Sequence, residues 1–380
     1  MNIFERGNAL AQVWTDVKNF ATSAYPSFVT GGDKTPEEIP VFSFHDVAPE
    51  KLNDQLEYLA SNGYGTITSA EYVERGGGTN GERVVLLTID DGRASLWNVA
   101  YPLLKKYGMR AVAFIPSGEM LDAVSARTPT MSTAVGDGDV LCTWPEIKAM
   151  RDAIDFQSHS LYHWMMFTGP EVACFFTPKI RDGWARIDLP IPQRDGKEIL
   201  ARDYPLGAPF YQMDSRLSDK PRMIEPETVR STLAEHVLRN GGEAFFERRG
   251  WKDELMSVHR DASKGADFRY ETAEDISIAM SLAAEKSKRI IENKLPGHVV
   301  NGFCPPFGIA GSTAVSAVAK AGYAIMYWGV KVPESALAAP GVIHATRVKD
   351  DFVFRLPGKG RQTLFNTLAG KALRRVGLGT

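Results

Sequence analysis

The chain has 380 residues, 44% of them hydrophobic and 24% charged, which excludes a disordered chain lacking the apolar surface to offset its ordering entropy. The 44 Lys and Arg against 46 Asp and Glu leave a net charge of −2, so no global basic field argues for nucleic acid. No apolar run approaches the ~18 residues needed to span a bilayer; the longest clean stretches, such as Val84–Ile89, have strand length.

Met1–Phe20 carries Glu5, Arg6, Asp16 and Lys18 and no continuous apolar core, unlike an export signal. Leu10, Val13, Trp14 and Val17 fall at helical spacing and predict an amphipathic helix. Cys142, Cys174 and Cys304 are odd in number and far apart, with no CxxC pattern. Both features fit a cytoplasmic protein with reduced thiols. Thr30–Pro40 is polar and turn-rich and closes an N-terminal extension over 1–39. Then Val41–His45 reads as a strand, Pro49–Ser61 as a helix, Tyr64–Thr68 as a strand and Val84–Ile89 as a buried strand. Ala94–Tyr107 predicts a helix stopped at Gly108, and Arg110–Pro116 another strand; helix Trp144–Ala153 leads into strand Ile154–Ser158. Strands separated by helices of this length imply parallel pairing and an α/β architecture.

Thr168–Tyr270 breaks the rhythm. It is rich in Pro, Arg and Asp with one good helix at about Pro226–Asn240, and reads as an insertion lobe over 168–270. Helix Glu271–Leu295, strand Val299–Cys304, helix Ser312–Ala321 and strands Tyr323–Trp328 and Val342–Thr346 then complete a main domain of 40–167 plus 271–356. The tail, 357–380, holds Lys359, Arg361, Lys371, Arg374 and Arg375 and no acid, with Phe365, Leu368, Ala372 and Val376 at helical spacing. This basic amphipathic helix has two readings: peripheral contact with an anionic membrane surface, or docking on its own domain with the basic face in solvent.

Three segments carry chemistry. Thr88-Ile89-Asp90-Asp91-Gly92 puts two carboxylates at the C-terminal end of a buried strand, the edge where α/β folds build sites. A solvated Asp-Asp-Gly turn is the plain alternative. Ser158-His159-Ser160-Leu161-Tyr162-His163 follows another strand; two imidazoles four apart converge on one ion if the segment makes a helical turn. With one carboxylate they would form three ligands for a borderline-soft divalent ion such as zinc, leaving a position open for water. The second carboxylate could take a proton. Asn301-Gly302-Phe303-Cys304-Pro305-Pro306-Phe307-Gly308 offers a stiff loop with an aromatic ring and a backbone N–H that could serve an oxyanion.

At these blocks the chain resembles the polysaccharide deacetylases, the carbohydrate esterases with the NodB homology domain. Thr88–Gly92 resembles their Thr-Phe-Asp-Asp-Gly motif, His159–His163 their His-Ser/Thr-x-x-His, and Phe303–Gly308 their Phe-Arg-Pro-Pro-Tyr-Gly. The flanks extend the likeness over Val41–Phe167 and Glu271–Arg355. The resemblance implies a distorted (β/α) barrel of seven or eight strands with its site at the C-terminal strand ends. It implies metal-assisted hydrolysis of an N-acyl amide, or sometimes an O-acetyl ester, on a sugar; we expect an acetyl or formyl group on the amino sugar of a polysaccharide, an oligosaccharide or, given an N-terminus unlike an export signal, a lipid-linked glycan precursor. Asp90 would be the catalytic base, and Asp91, His159 and His163 the ligands of one divalent ion: zinc first, then cobalt, nickel or manganese. Phe307 would line the sugar site and lend its N–H to the oxyanion; His45 and Trp328 are the other candidate substrate-binding residues. His45 sits in Phe44-His45-Asp46-Val47, similar to the Tyr-His-Asp-Val opening of exopolysaccharide deacetylases.

Cys304 stands where many members have an Arg that orients the catalytic Asp. A branch of the family lacks that Arg and usually offers one from a later strand, which Arg347 would match. His344 is the candidate general acid, with a structural histidine as the alternative. Arg75-Gly76-Gly77-Gly78 precedes a strand, unlike a phosphate loop, and no Gly-x-Ser-x-Gly elbow exists. The rival function is a catalytically inactive carbohydrate-binding protein that keeps the barrel.

Overall fold

The computed structural model describes residues 25–31, 34–131, 141–163, 165–183, 189–190, 193–194, 197–198 and 204–375. The expected helix around Leu10–Val17 lies outside them, as do 376–380 of the tail. Nine short strands build one sheet: β1 (Val41–Phe44), β2 (Gly65–Thr66), β3 (Val84–Ile89), β4 (Ala111–Ile115), β5 (Ile154–Ser158), β6 (Gly302–Phe303), β7 (Ile325–Tyr327), β8 (Ile343–Ala345) and β9 (Val348–Lys349). Their order is β8-β7-β6-β5-β4-β3-β1-β9, with β2 on β3, and every pair is parallel. The two sheet edges, β8 and β9, are separated only by Thr346 and Arg347. One segment therefore serves β7 on one side and β1 on the other, and the sheet closes on itself as the distorted barrel that the α/β pattern and family likeness led us to expect.

Parallel strands are covered on both faces, and the burial agrees: every residue of β3 and β4 is buried. Alternation sorts them. Val41, Val84, Leu86, Val112, Phe114, Cys304, Ile325, Tyr327 and Ala345 form one cluster inside the barrel. Phe42, Phe44, Val85, Leu87, Ile89, Ala111, Ala113 and Ile115 pack outward against the helices, including Pro49–Ser61 and Ala273–Lys294. Continuing the inward period of β3 leads through Thr88 to Asp90; continuing that of β8 leads to Arg347.

Two elements depart from their expected form. The helix of 94–107 opens as a π-turn at Leu96–Ala100 before regular helix at Tyr101–Tyr107. Pro102 has no N–H to give the carbonyl of Asn98, and Met131 donates to that carbonyl instead, at 3.1 Å. The strand expected over 299–304 contracts to Gly302–Phe303 because side chains take over its ladder. The Gln157 carbonyl oxygen accepts from the N–H groups of Asn301 and Gly302 at 2.9 and 2.7 Å, and Glu292 accepts from Val300 at 3.2 Å.

The insertion opens with an antiparallel ribbon, Met165–Phe175 against Pro209–Ser215. Helices Glu227–Arg239 and Trp251–Ala262 follow, and the lobe keeps two apolar clusters of its own, around Phe210 and around Phe245. At the other end of the chain, helix Leu364–Arg375 packs beside Asp350–Arg355. It buries Thr367 and Lys371, the latter 5.5 Å from the Phe352 ring centre, and turns Phe365 outward at 78% exposure. Residues 364–371 thus pack on the main domain, with Lys371 buried rather than on a solvent-facing basic side. No helix among the described residues is long and apolar enough to cross a membrane.

Candidate active site

The strand ends bring the motifs to one rim. Asp90 extends β3 inward, and its N–H continues the ladder to the Phe44 carbonyl at 3.0 Å. Its carboxylate is 2% exposed and is gripped by Arg347, with Nη1 to Oδ1 at 2.7 Å and Nη2 to Oδ2 at 2.9 Å. Arg347 also donates to Thr88 Oγ1 (3.0 Å), the Trp328 carbonyl (3.1 Å) and Cys304 Sγ (3.0 Å), and lies over the Phe114 ring. Burial by itself would raise the pKa of Asp90, but the Arg347 guanidinium, helped by His45 and His159, holds it below the usual carboxylate value. A bidentate pair still leaves lone pairs on both oxygens, so Asp90 is an ionised group able to accept a proton.

Asp91 takes the left-handed conformation, φ 75°, which turns its side chain away from that of Asp90. Arg93 Nε donates to Asp91 Oδ2 at 3.1 Å. The other oxygen, Oδ1, is buried and finds no hydrogen-bond partner among the described residues. It faces His159 Nε2 at 3.5 Å and His163 Nε2 at 3.6 Å.

The two histidines converge without the helical turn their spacing suggested. Ser160 between them is left-handed, φ 66°, a conformation that costs a non-glycine residue about 1–2 kcal/mol. Ser287, buried in the long helix 273–294, steadies it by donating to the Ser160 carbonyl at 2.9 Å, with Ser158 and Ser117 hydroxyls at 2.7 and 3.2 Å. His159 Nδ1 is 2.6 Å from the Cys304 carbonyl, which fixes its proton there and frees Nε2. The His163 N–H donates to Glu119 Oε1 at 2.8 Å. Sequence reasoning found Asp91, His159 and His163, but not Arg93, Glu119 or Ser287, whose only signal is proximity in space.

This triad fits a divalent cation. Donors at ~2.0–2.1 Å from a tetrahedral ion stand ~3.4 Å apart, close to the two separations seen, and an orphaned anionic oxygen between two nitrogens is costly without one. Asp90, His159 and Cys304 also cluster, but Arg347 occupies that carboxylate and thiol, and burial pushes the Cys304 pKa well up, so the sulfur stays protonated. Replacing Arg93 by Ala should loosen the Asp91 carboxylate and weaken metal affinity about 10–100-fold, measured by competition with a chelator.

Phe307 reaches the same rim, its ring 4.3 Å from that of His163 and its backbone left-handed at φ 60°. His45 lies across the opening, side chain 44% exposed, with Nε2 3.7 Å from Asp90 Oδ2. Trp328 does not join the wall. It is fully buried, presents no surface to a sugar, and its indole N–H donates to His344 Nδ1 at 3.0 Å. That bond assigns the His344 proton to Nε2, a buried atom with no partner among the described residues.

Residues 77–175, which hold the Asp-Asp and His-x-x-x-His motifs, match the family model described as polysaccharide deacetylase. Over 121 residues the chain is 28% identical to the poly-beta-1,6-N-acetyl-D-glucosamine N-deacetylase of Escherichia coli (strain K12), covering 31% of this chain and 18% of that protein. It is 33% identical over 90 residues to YxkH of Bacillus subtilis (strain 168), covering 21% of this chain and 32% of that one. The chain thus spans well under half of the length of these curated relatives. Among solved structures, a de-N-acetylase from Aggregatibacter actinomycetemcomitans aligns over 82% of this chain and 95% of its own, at 14% identity and a TM-score of 0.47. The BpsB deacetylase domain from Bordetella bronchiseptica aligns over 84% and 99%, at 15% and 0.46. The family matched over 77–175 is the one the three motifs resemble.

Proposed function

We propose that this chain, a polysaccharide deacetylase relative over 77–175, is a divalent-metal-dependent hydrolase that removes an acetyl or formyl group from the amino sugar of a glycan. The observation that carries the reading is the orphaned Asp91 Oδ1 between His159 Nε2 and His163 Nε2, beside an Asp90 kept ionised by Arg347. Asp91, His159 and His163 would hold the ion, with zinc the best match to one oxygen and two imidazole nitrogens. Bound there, it supplies Lewis-acid polarisation and a water of lowered pKa.

The chain's own residues supply the rest. Asp90 accepts the proton of the attacking water on a carboxylate oxygen, and Arg347 keeps that oxygen aimed and anionic. The Phe307 ring gives the sugar an apolar face, and its N–H, on a loop stiffened by Pro305 and Pro306, is the donor for the developing oxyanion. His344, with Nε2 buried and its ring held by the Trp328 indole on the outward side of β8, is read as a structural histidine rather than as the general acid. The binding-protein alternative rests on the lack of an Arg at 304 and on the general acid; Arg347 answers the first by gripping Asp90, and the ionised Asp90 beside the Asp91–His159–His163 set favours the enzyme.

The test is metal content and acetate release from β-1,6-linked N-acetylglucosamine oligomers. The wild type should carry about one divalent ion per chain, as expected for a catalytic site, and should release acetate. His159→Ala/His163→Ala should do neither. A wild type that takes up no zinc, cobalt, nickel or manganese would overturn the proposal.

A further inference from the structure

Of the described insertion residues, Leu217 is the one that belongs to the main apolar cluster, where it is 3% exposed. It belongs to a tight turn after the ribbon, where Ser218 N–H donates to the Ser215 carbonyl at 3.0 Å. The turn is fixed from both sides. Arg216 makes a bidentate pair with Glu271, 2.7 Å on each arm, and the Arg222 N–H donates to the same carboxylate at 3.1 Å. On the other side the Leu217 carbonyl accepts from Gly311 N–H at 2.7 Å. Asp219 then caps helix Ser312–Lys320: its Oδ2 accepts from Thr313 N–H at 2.7 Å and lies 3.3 Å from the Ser312 hydroxyl, and Oδ1 accepts from Ala314 N–H at 3.2 Å. The fit is close enough that a Cβ at Gly311 would collide with the Asp219 carboxyl.

What this holds still is the loop between Pro305 and Gly311. Phe307 and Gly308 are both left-handed there, at φ 60° and 67°. For Phe307 that is a strained state, which persists only where the surroundings over-determine it. On its N-terminal side the loop is anchored by β6 and the two prolines. On its C-terminal side the anchors are Ser335, whose hydroxyl donates to the Ala310 carbonyl at 2.6 Å, and the insertion turn.

We propose that the turn 215–219 is a brace for the Phe307 loop and that Asp219 is a positioning residue for the reaction, although it belongs to the insertion rather than the barrel. The consequence for turnover rests on the deacylase reading above; the brace itself does not. A cap lost at 313–314 frees the segment that ends in Phe307, so the N–H and ring drift while the metal ligands, which follow β3 and β5, stay in place.

The test compares Asp219→Ala with Asp219→Asn. Asn keeps one oxygen acceptor, enough for the shorter Thr313 bond, and tolerates φ > 0, so it should rescue in part. In Asp219→Ala, hydrogen exchange over 305–311 should quicken at least tenfold, a measurement that needs no substrate. Its kcat on β-1,6-linked N-acetylglucosamine oligomers should fall at least tenfold, with metal content unchanged and both readouts closer to wild type in Asp219→Asn. Unaltered exchange over 305–311 would overturn the brace, and quickened exchange with an unchanged kcat would overturn the positioning role of Asp219. A wild type inactive on every acylated sugar would instead count against the deacylase reading, leaving the exchange comparison to decide the brace.

Discussion

Asp90→Asn should reduce turnover by about 10²–10⁴-fold, the contribution of a positioned general base, while the protein keeps its metal. The substitution preserves shape and burial but removes the proton acceptor. It also sets an amide N–H₂ against one arm of Arg347, which now spans both oxygens at 2.7 and 2.9 Å, so a loss of about 1–3 kcal/mol in stability should accompany it. Rate on an acetylated oligosaccharide, elemental analysis and a denaturant titration separate the three effects. Full activity in this variant would remove Asp90 from the proposed role.

Arg347→Met should have the largest effect on the fold and a distinct effect on pH dependence. It strands a carboxylate that is 2% exposed, and breaking a buried pair in this way costs about 3–5 kcal/mol. With Arg347 gone, only His45 and His159 oppose the burial of Asp90 and its pKa rises, so the acid limb of the rate profile should move to higher pH. Stability follows the same linkage. In the wild type the folded pKa of Asp90 lies below its unfolded value, so the contribution of the pair is full above the unfolded pKa and is lost as pH falls through the folded one. The stability gap between wild type and variant should therefore narrow toward acid. Arg347→Met/Asp90→Asn should recover much of the stability and none of the rate. A double variant as unstable as Arg347→Met would show that Arg347 acts through packing on Phe114 rather than through Asp90.

The elements legible in the sequence are those whose signal is local. Pro49–Ser61 forms as its periodicity predicts, with proline at the first helical position, and the helix before β4 stops at Gly108 in the left-handed conformation. The misread elements are those in which a distant group takes over a backbone hydrogen bond. Gln157 replaces the ladder at 301–302, and Met131 claims the carbonyl freed by Pro102. Trp328, a candidate substrate-binding residue in the sequence, is fully buried with its indole N–H on His344.

Sequence alone determined which residues could do chemistry. Two carboxylates after a buried strand, two histidines four apart and a Pro-Pro-Phe-Gly loop are local patterns. Tertiary structure decided how they act. That Arg347 meets Asp90 across 257 positions follows from barrel closure, which uses one segment, 343–349, to bridge the two sheet edges and points its residues inward. That the histidines converge through a left-handed Ser160 follows from Ser287, more than 120 residues later. That the insertion steadies the Phe307 loop follows from a turn whose only local sign is an Asp at φ 63°. Each of these is a contact between segments far apart in the chain. Periodicity and propensity carry no record of such contacts, because they are set by where closed packing leaves room and by which buried polar groups must find partners.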